Sequence, residues 1–316
     1  MSNVQMERVL GRIANKRLEM KSFLIWQEGE KIGEFYWGDK GRMNIQSTAK
    51  SVTSIAIGIA IEEGVLKLTD KPADFFREYL EPGYTPLTDE MTLEHLLKMS
   101  TGHEKKPIMP SNQRDYIKDW IHYAMNLPVV EQPGASFHYD NSAPYLISAM
   151  LSKRTGESLV NWLKPRLFDL LEIPNPQWFS CPAGHTAASG SLFLSPEEIG
   201  KIAQLYLDKG MWKGKRIVSA EWIEQATKKQ IDTNLPENPP VKHPLAPTSF
   251  CGKDAASGYG YLVWMCADGK GYRSHGNFNQ NFVVIPEKKA VVVTTADENR
   301  GQEILDIVWD EIYPNL

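Results

Sequence analysis

The chain has 316 residues, 42% hydrophobic and 23% charged, with a net charge of −4. That length supports one large globular unit with a sizeable core, and the composition excludes a disordered chain. Lys and Arg are scattered without a basic block, which excludes a nucleic-acid footprint; the longest apolar run, Ile55–Ile61, falls far short of the ~20 residues a membrane helix needs.

In chain order, Val4–Met20 carries apolar residues at Val9, Leu10, Ile13 and Leu18, the spacing of an amphipathic helix. Ser22–Gln27 and Lys31–Trp37 flank Glu28-Gly29-Glu30 and read as a hairpin. Ser47–Glu63 is apolar or small nearly all round (Val52, Ile55, Ala56, Ile57, Ile59, Ala60, Ile61). That is the pattern of a buried helix, with Gly64 as its stop signal. From Val65 to Pro182 the chain reads as helix and loop, with helices clearest over Thr92–Met99 and Asn141–Arg154. Pro196–Lys209 follows a capping box formed by Ser195 and Glu198. Gln230–Ser257 is a long, proline-rich loop, and loops of that length often carry function. Gly260–Met265, Gly271–His275, Asn281–Ile285 and Ala290–Thr295 read as strands, and Gln302–Ile312 as a closing helix.

Strands at both ends with helices between predict an α/β chain of the α+β type. One antiparallel sheet would be built from both chain ends and flanked by helices, with a mainly helical region inserted. The expected division is 1–64 and 186–316 for the sheet region and 65–185 for the helical region, in one compact catalytic unit. The charged N-terminal segment does not read as a signal peptide. Three cysteines, Cys181, Cys251 and Cys266, do not make a disulfide framework. The expected location is therefore cytoplasmic.

The sharpest chemical signal is Ser47-Thr48-Ala49-Lys50 at the start of the buried helix. Residues three apart on a helix share a face. A serine hydroxyl is a weak nucleophile until a base takes its proton, and burial penalises the charged form of a lysine, which prepares it for that task. The helix N-terminus adds positive potential and free amides where an oxyanion would form. No other serine has a lysine three residues later. A plain N-cap serine beside a solvated lysine is the alternative, but this helix has no polar face to solvate Lys50.

A second signal is Tyr139-Asp140-Asn141, just before a helix. A tyrosine beside an ammonium can manage a proton, and Asn offers a donor and an acceptor. Taken alone, Tyr139 also fits a turn aromatic and Asn141 a helix cap; the same triplet pattern recurs at Tyr313-Pro314-Asn315. A third signal is Ser274-His275-Gly276-Asn277 in a predicted strand, where Gly276 permits close backbone approach. His275 by itself fits an edge-strand histidine without a role. The seven histidines show no metal spacing, and neither a Gly-x-Ser-x-Gly elbow nor a phosphate loop occurs, so neither metal nor cofactor is expected.

The order of these motifs resembles the class C β-lactamase and penicillin-binding-protein family of serine hydrolases. Leu96-Leu97-Lys98-Met99-Ser100-Thr101-Gly102, Ser189-Gly190-Ser191-Leu192 and Gly210-Met211-Trp212 add to the likeness, which covers roughly residues 22–300. The resemblance implies a β-lactamase/transpeptidase-like fold, acylation of Ser47, and proton transfer by Lys50 and Tyr139. Asn141, His275, Gly276 and Asn277 would contact the substrate or its oxyanion. The third motif departs from the usual Lys/His-Thr-Gly. Either Gly276 is the motif glycine, with Ser274 at the cation position and Asn277 supplying an amide, or His275 is the cation and Phe278 supplies the amide. Without a lysine there, the resemblance favours small esters, amides or peptides over β-lactams. An acyl transferase, a β-lactamase or D-amino-acid peptidase, and a non-catalytic scaffold are the other readings. The sequence leaves the oligomeric state open.

Overall fold

The computed structural model describes residues 3–104, 117–236 and 252–316. Much of the proline-rich loop Gln230–Ser257, from 237 to 251, lies outside the described residues.

The central sheet has six antiparallel strands in the spatial order Glu30–Tyr36, Met20–Gln27, Ala290–Ala296, Asn281–Ile285, Tyr272–Arg273 and Trp264–Met265. The N-terminal hairpin joins the C-terminal strands where Met20–Gln27 pairs with Ala290–Ala296, in register from Ser22↔Thr295 to Gln27↔Ala290. Side chains alternate between two buried faces. Phe23, Ile25, Val283, Ile285 and Val292 face a core with the helices Asn3–Asn15 and Gly301–Ile307. Leu24, Phe282, Val284, Val291 and Val293 face a larger core with the helices Ala49–Glu62 and Pro196–Leu207. This is the fold expected from the sequence: an antiparallel sheet from both chain ends, packed with helices.

The helix Ala49–Glu62 is held by packing more than by propensity, since its β-branched residues are only moderate helix formers. Every residue from Ala49 to Ala60 is buried. Gly58, which costs about 1 kcal/mol in mid-helix relative to Ala, is required there: an added Cβ would overlap the Trp222 indole. That indole's Nε1 donates to Ser54 O at 3.0 Å.

Several boundaries differ from the sequence reading, three of them with a plain backbone cause. The first helix stops at Asn15, because Arg17 takes φ +51° and Met20 already begins a strand. The buried helix begins at Ala49, after a tight 3₁₀ turn over Gln46–Thr48. The strand expected from Gly260 begins only at Trp264, because Gly260 N–H donates to Val263 O across a turn with Leu262 at φ +61°.

Candidate active site

Ser47 sits in the turn that opens the buried helix and is half-exposed. Gln46, just before it, is held at φ +52°, a conformation that costs a non-glycine residue about 1–3 kcal/mol. The Asn44 side chain supports it by accepting from Gln46 N–H at 2.9 Å. As a first-turn residue, Ser47 presents an amide with no acceptor inside the helix.

Lys50 is 1% exposed. Its Nζ lies 2.9 Å from Ser47 Oγ, 2.8 Å from Asn141 Oδ1 and 2.7 Å from Ser189 O. This set fits both charge states of the lysine. As an ammonium it donates three bonds; as an amine it donates two, to Asn141 and Ser189, and turns its lone pair to the Ser47 hydroxyl. The Ser189 carbonyl comes from a segment with Ala188 at φ +58° and Ser191 at φ +60°, tied to the same helix where Thr53 Oγ1 donates to Ala188 O at 2.9 Å.

The Tyr139 ring lies with its centroid 4.7 Å from Lys50 Nζ, and its hydroxyl interacts with Ser47. Burial pushes the phenol well above its ordinary pKa, and the neighbouring Ser47 and the positive Arg273 pull it partly back. Tyr139 is thus a neutral phenol at physiological pH. Trp264 stacks on it at 5.7 Å.

Asn141 occupies the N-cap position of the helix Ser142–Thr155, yet its side chain makes no cap bond. The capping is done by Asp140, whose Oδ1 accepts from Ser142 N–H at 2.6 Å and from Ser142 Oγ at 2.7 Å. Its other oxygen lies 2.8 Å from His103 Nδ1, and both residues are buried. Burial acts to raise the Asp140 pKa, but His103 and Ser142 outweigh it and hold the carboxyl below its usual value. The sequence reading missed this pair. Its signal was an acidic residue two before a helix start, together with a histidine after Gly102.

The last motif lies across from Ser47. Ser274 N–H donates to Phe282 O and Gly276 N–H to Gln280 O, at 3.0 and 2.9 Å. The paired strand itself ends at Arg273, short of the expected His275, and Asn277 opens a 3₁₀ turn over Asn277–Asn279 with Phe278 at φ +59°. Ser274 faces the turn that opens the buried helix: its Oγ accepts from Thr48 Oγ1 at 3.0 Å and from Phe282 N–H at 2.9 Å. A Cβ on Gly276 would come 2.5 Å from Ile45 O and 3.1 Å from Gln46 Cβ, so the strand lies directly against the approach to Ser47. His275 has Nδ1 3.1 Å from Asn281 Oδ1 and its ring centroid 6.3 Å from that of Trp264, on the side of Tyr139 and Lys50. Burial, then the charge of Arg273, lowers its pKa to about 3, so it carries no charge near neutrality.

Among the described residues, no group of acidic, histidine and cysteine side chains is placed to hold a metal. No helix among them is long and apolar enough to cross a membrane.

Sheet, buried helix and the converging Ser-Lys, Tyr and strand motifs describe the β-lactamase/transpeptidase fold. The family model described as Beta-lactamase matches residues 21–310, and the chain belongs to that family of serine hydrolases. Solved structures agree on the fold. A candidate 6-aminohexanoate-dimer hydrolase from Bacillus anthracis is similar with TM-score 0.75 and 18% identity, over 96% of this chain and 80% of that one. The octameric penicillin-binding protein homologue from Pyrococcus abyssi gives 0.71 and 18%, over 98% and 77%. EstCE1, a hydrolase with promiscuous acyltransferase activity, gives 0.73 and 13%, over 96% and 98%. No curated protein matches the chain in sequence.

Proposed function

We propose that this protein hydrolyses a small ester, amide or peptide through an acyl-enzyme on Ser47. The observation that carries the reading is the Lys50 Nζ–Ser47 Oγ contact of 2.9 Å, made by a buried lysine whose other bonds suit it as an amine or as an ammonium. Lys50 takes the Ser47 proton as Oγ attacks the substrate carbonyl. The tetrahedral oxyanion rests on two amides, Ser47 N–H and Asn277 N–H. Asn277 is taken over Phe278 because Gly276, just before it, is the position that needs close approach. On collapse, the leaving group takes the Tyr139 phenol proton, and Lys50 returns its own proton to Tyr139. Water then attacks the acyl-enzyme with the same groups in reverse order.

Ser274 then stands at the cation position and is neutral, which supports uncharged substrates over β-lactams. Incubation with a fluorophosphonate probe, followed by intact and peptide mass spectrometry, tests the reading. One adduct on Ser47, absent in Ser47→Ala, is expected; labelling elsewhere, or none, refutes it. The acyl-enzyme also offers its acyl group to added alcohols or amines, and product ratios in their presence measure transfer against hydrolysis.

A further inference from the structure

Arg273 is a buried charge that the chemistry above leaves unused. It is 2% exposed. One Nη donates a long bond of 3.4 Å to Ser274 O, and its buried Nε has no acceptor among the described residues. The buried carboxylate of Asp254 is already occupied: it accepts from Ala267 N–H at 2.9 Å, Gln302 Nε2 at 2.7 Å and Trp309 Nε1 at 3.1 Å. A guanidinium remains charged even when buried, and a buried charge with few partners is costly. A methionine would fill the same space without that cost.

What the guanidinium does meet is aromatic. Its Cζ lies 5.4 Å from the centroid of the Trp264 ring. Trp264 stacks on Tyr139 at 5.7 Å with 28° between the planes, and Lys50 Nζ lies 4.7 Å from the Tyr139 ring. Guanidinium, indole, phenol and ammonium thus form a continuous series that ends at Ser47.

We propose that Arg273 is a positioning residue for the Tyr139 proton: its buried charge, set against Trp264, stabilises the phenolate that Tyr139 becomes as it protonates the leaving group. This rests on the reading of Ser47 as nucleophile and Tyr139 as proton donor. The Tyr139 O–H bond breaks as the departing oxygen or nitrogen takes the proton. Lys50 restores the phenol with the proton it took from Ser47, so no further reactant is needed. The positive field of Arg273 acts in the required direction on Tyr139, and it also keeps the neighbouring His275 uncharged.

The test compares two acetate esters by kcat/KM, which reports acylation. p-Nitrophenolate leaves without a proton, whereas ethoxide needs one. Arg273→Met is expected to lose roughly tenfold more activity on ethyl acetate than on p-nitrophenyl acetate, a share of the hundredfold or more that a general acid contributes. Arg273→Lys, which restores a charge, recovers most of the difference. A purely structural role would lower both esters alike. Equal losses, or a lysine no better than methionine, overturn the proposal. If Arg273→Met does not fold, Trp264→Leu carries the same comparison, since it removes the ring linking Arg273 to Tyr139; equal losses there also overturn it. Fluorophosphonate labelling of the wild-type protein separates the two levels. No adduct on Ser47 removes the underlying reading, while an adduct together with equal losses removes the role of Arg273 alone.

Discussion

Asn141→Ala separates a catalytic part for this residue from a helix-capping one. The Asn141 side chain gives its oxygen to Lys50 Nζ at 2.8 Å and makes no cap bond, while Asp140 holds the Ser142 amide. Removal therefore spares the helix, where loss of a working cap would cost about 0.5–2 kcal/mol. What is lost is one acceptor for the lysine at the moment it becomes an ammonium. A hydrogen bond to a charged group is worth about 1.5–3 kcal/mol, so kcat/KM should fall by roughly ten- to a hundredfold. The loss falls on the transition state, because the amine form needs the acceptor less than the ammonium does. The assay is initial-rate hydrolysis of p-nitrophenyl acetate, with thermal denaturation of the same preparations alongside. Wild-type kcat/KM in Asn141→Ala would refute the reasoning. So would a fall in melting temperature large enough to account for the lost activity, which would return Asn141 to a structural role.

Ser47→Ala should abolish turnover of p-nitrophenyl acetate by several orders of magnitude with the fold intact, as expected on loss of a nucleophile; near-normal turnover would remove the assignment. Nitrocefin should have a lower specificity constant than a p-nitrophenyl ester. Ser274 offers no charge to the β-lactam carboxylate, and Arg273 is packed against Trp264 rather than free to swing in; the missing contact is worth about 1.5–3 kcal/mol, and a higher constant for nitrocefin would contradict this. His275, with a pKa of about 3 when folded against an ordinary 6.5, binds a proton in the unfolded chain first. Its contribution to stability is whole above pH 6.5 and is lost progressively as the pH falls from there toward 3. His275→Gln should accordingly flatten the stability–pH curve between pH 6.5 and 4 in urea titrations, and an unchanged slope would contradict burial of a neutral imidazole.

The sequence made the Ser47–Lys50 pair legible because the i, i+3 spacing and an apolar helix leave few places for the lysine. The hairpin, the capping box at Ser195 and the final strands were legible from period and turn chemistry, which are local properties. What escaped was set by the tertiary fold. The Ser189 carbonyl is a backbone atom, and backbone atoms leave no trace in a pattern of side chains. Asp140 reads as a turn residue until His103, 37 positions earlier, is brought against it. Arg273 reads as an ordinary strand cation, and only packing against Trp264 removes it from water. The two registers of the last motif differ by one residue, and no local pattern separates them.

The sheet has a consequence for how the molecule is made. The hairpin of Met20–Gln27 and Glu30–Tyr36 can form early in synthesis, but the outer edge of Met20–Gln27 waits for Ala290–Ala296. Until the chain is nearly complete, Phe23, Leu24 and Ile25, all buried at the end, flank an unpaired strand edge, which is the surface most prone to aberrant pairing. Ser47 and Lys50 wait as well, because Thr48 is fixed by Ser274 and Gln280 from the last strands. A nascent or C-terminally truncated chain therefore carries Ser47 and Lys50 as ordinary residues, and the reactivity proposed for Ser47 would arise in the same event that closes the vulnerable edge.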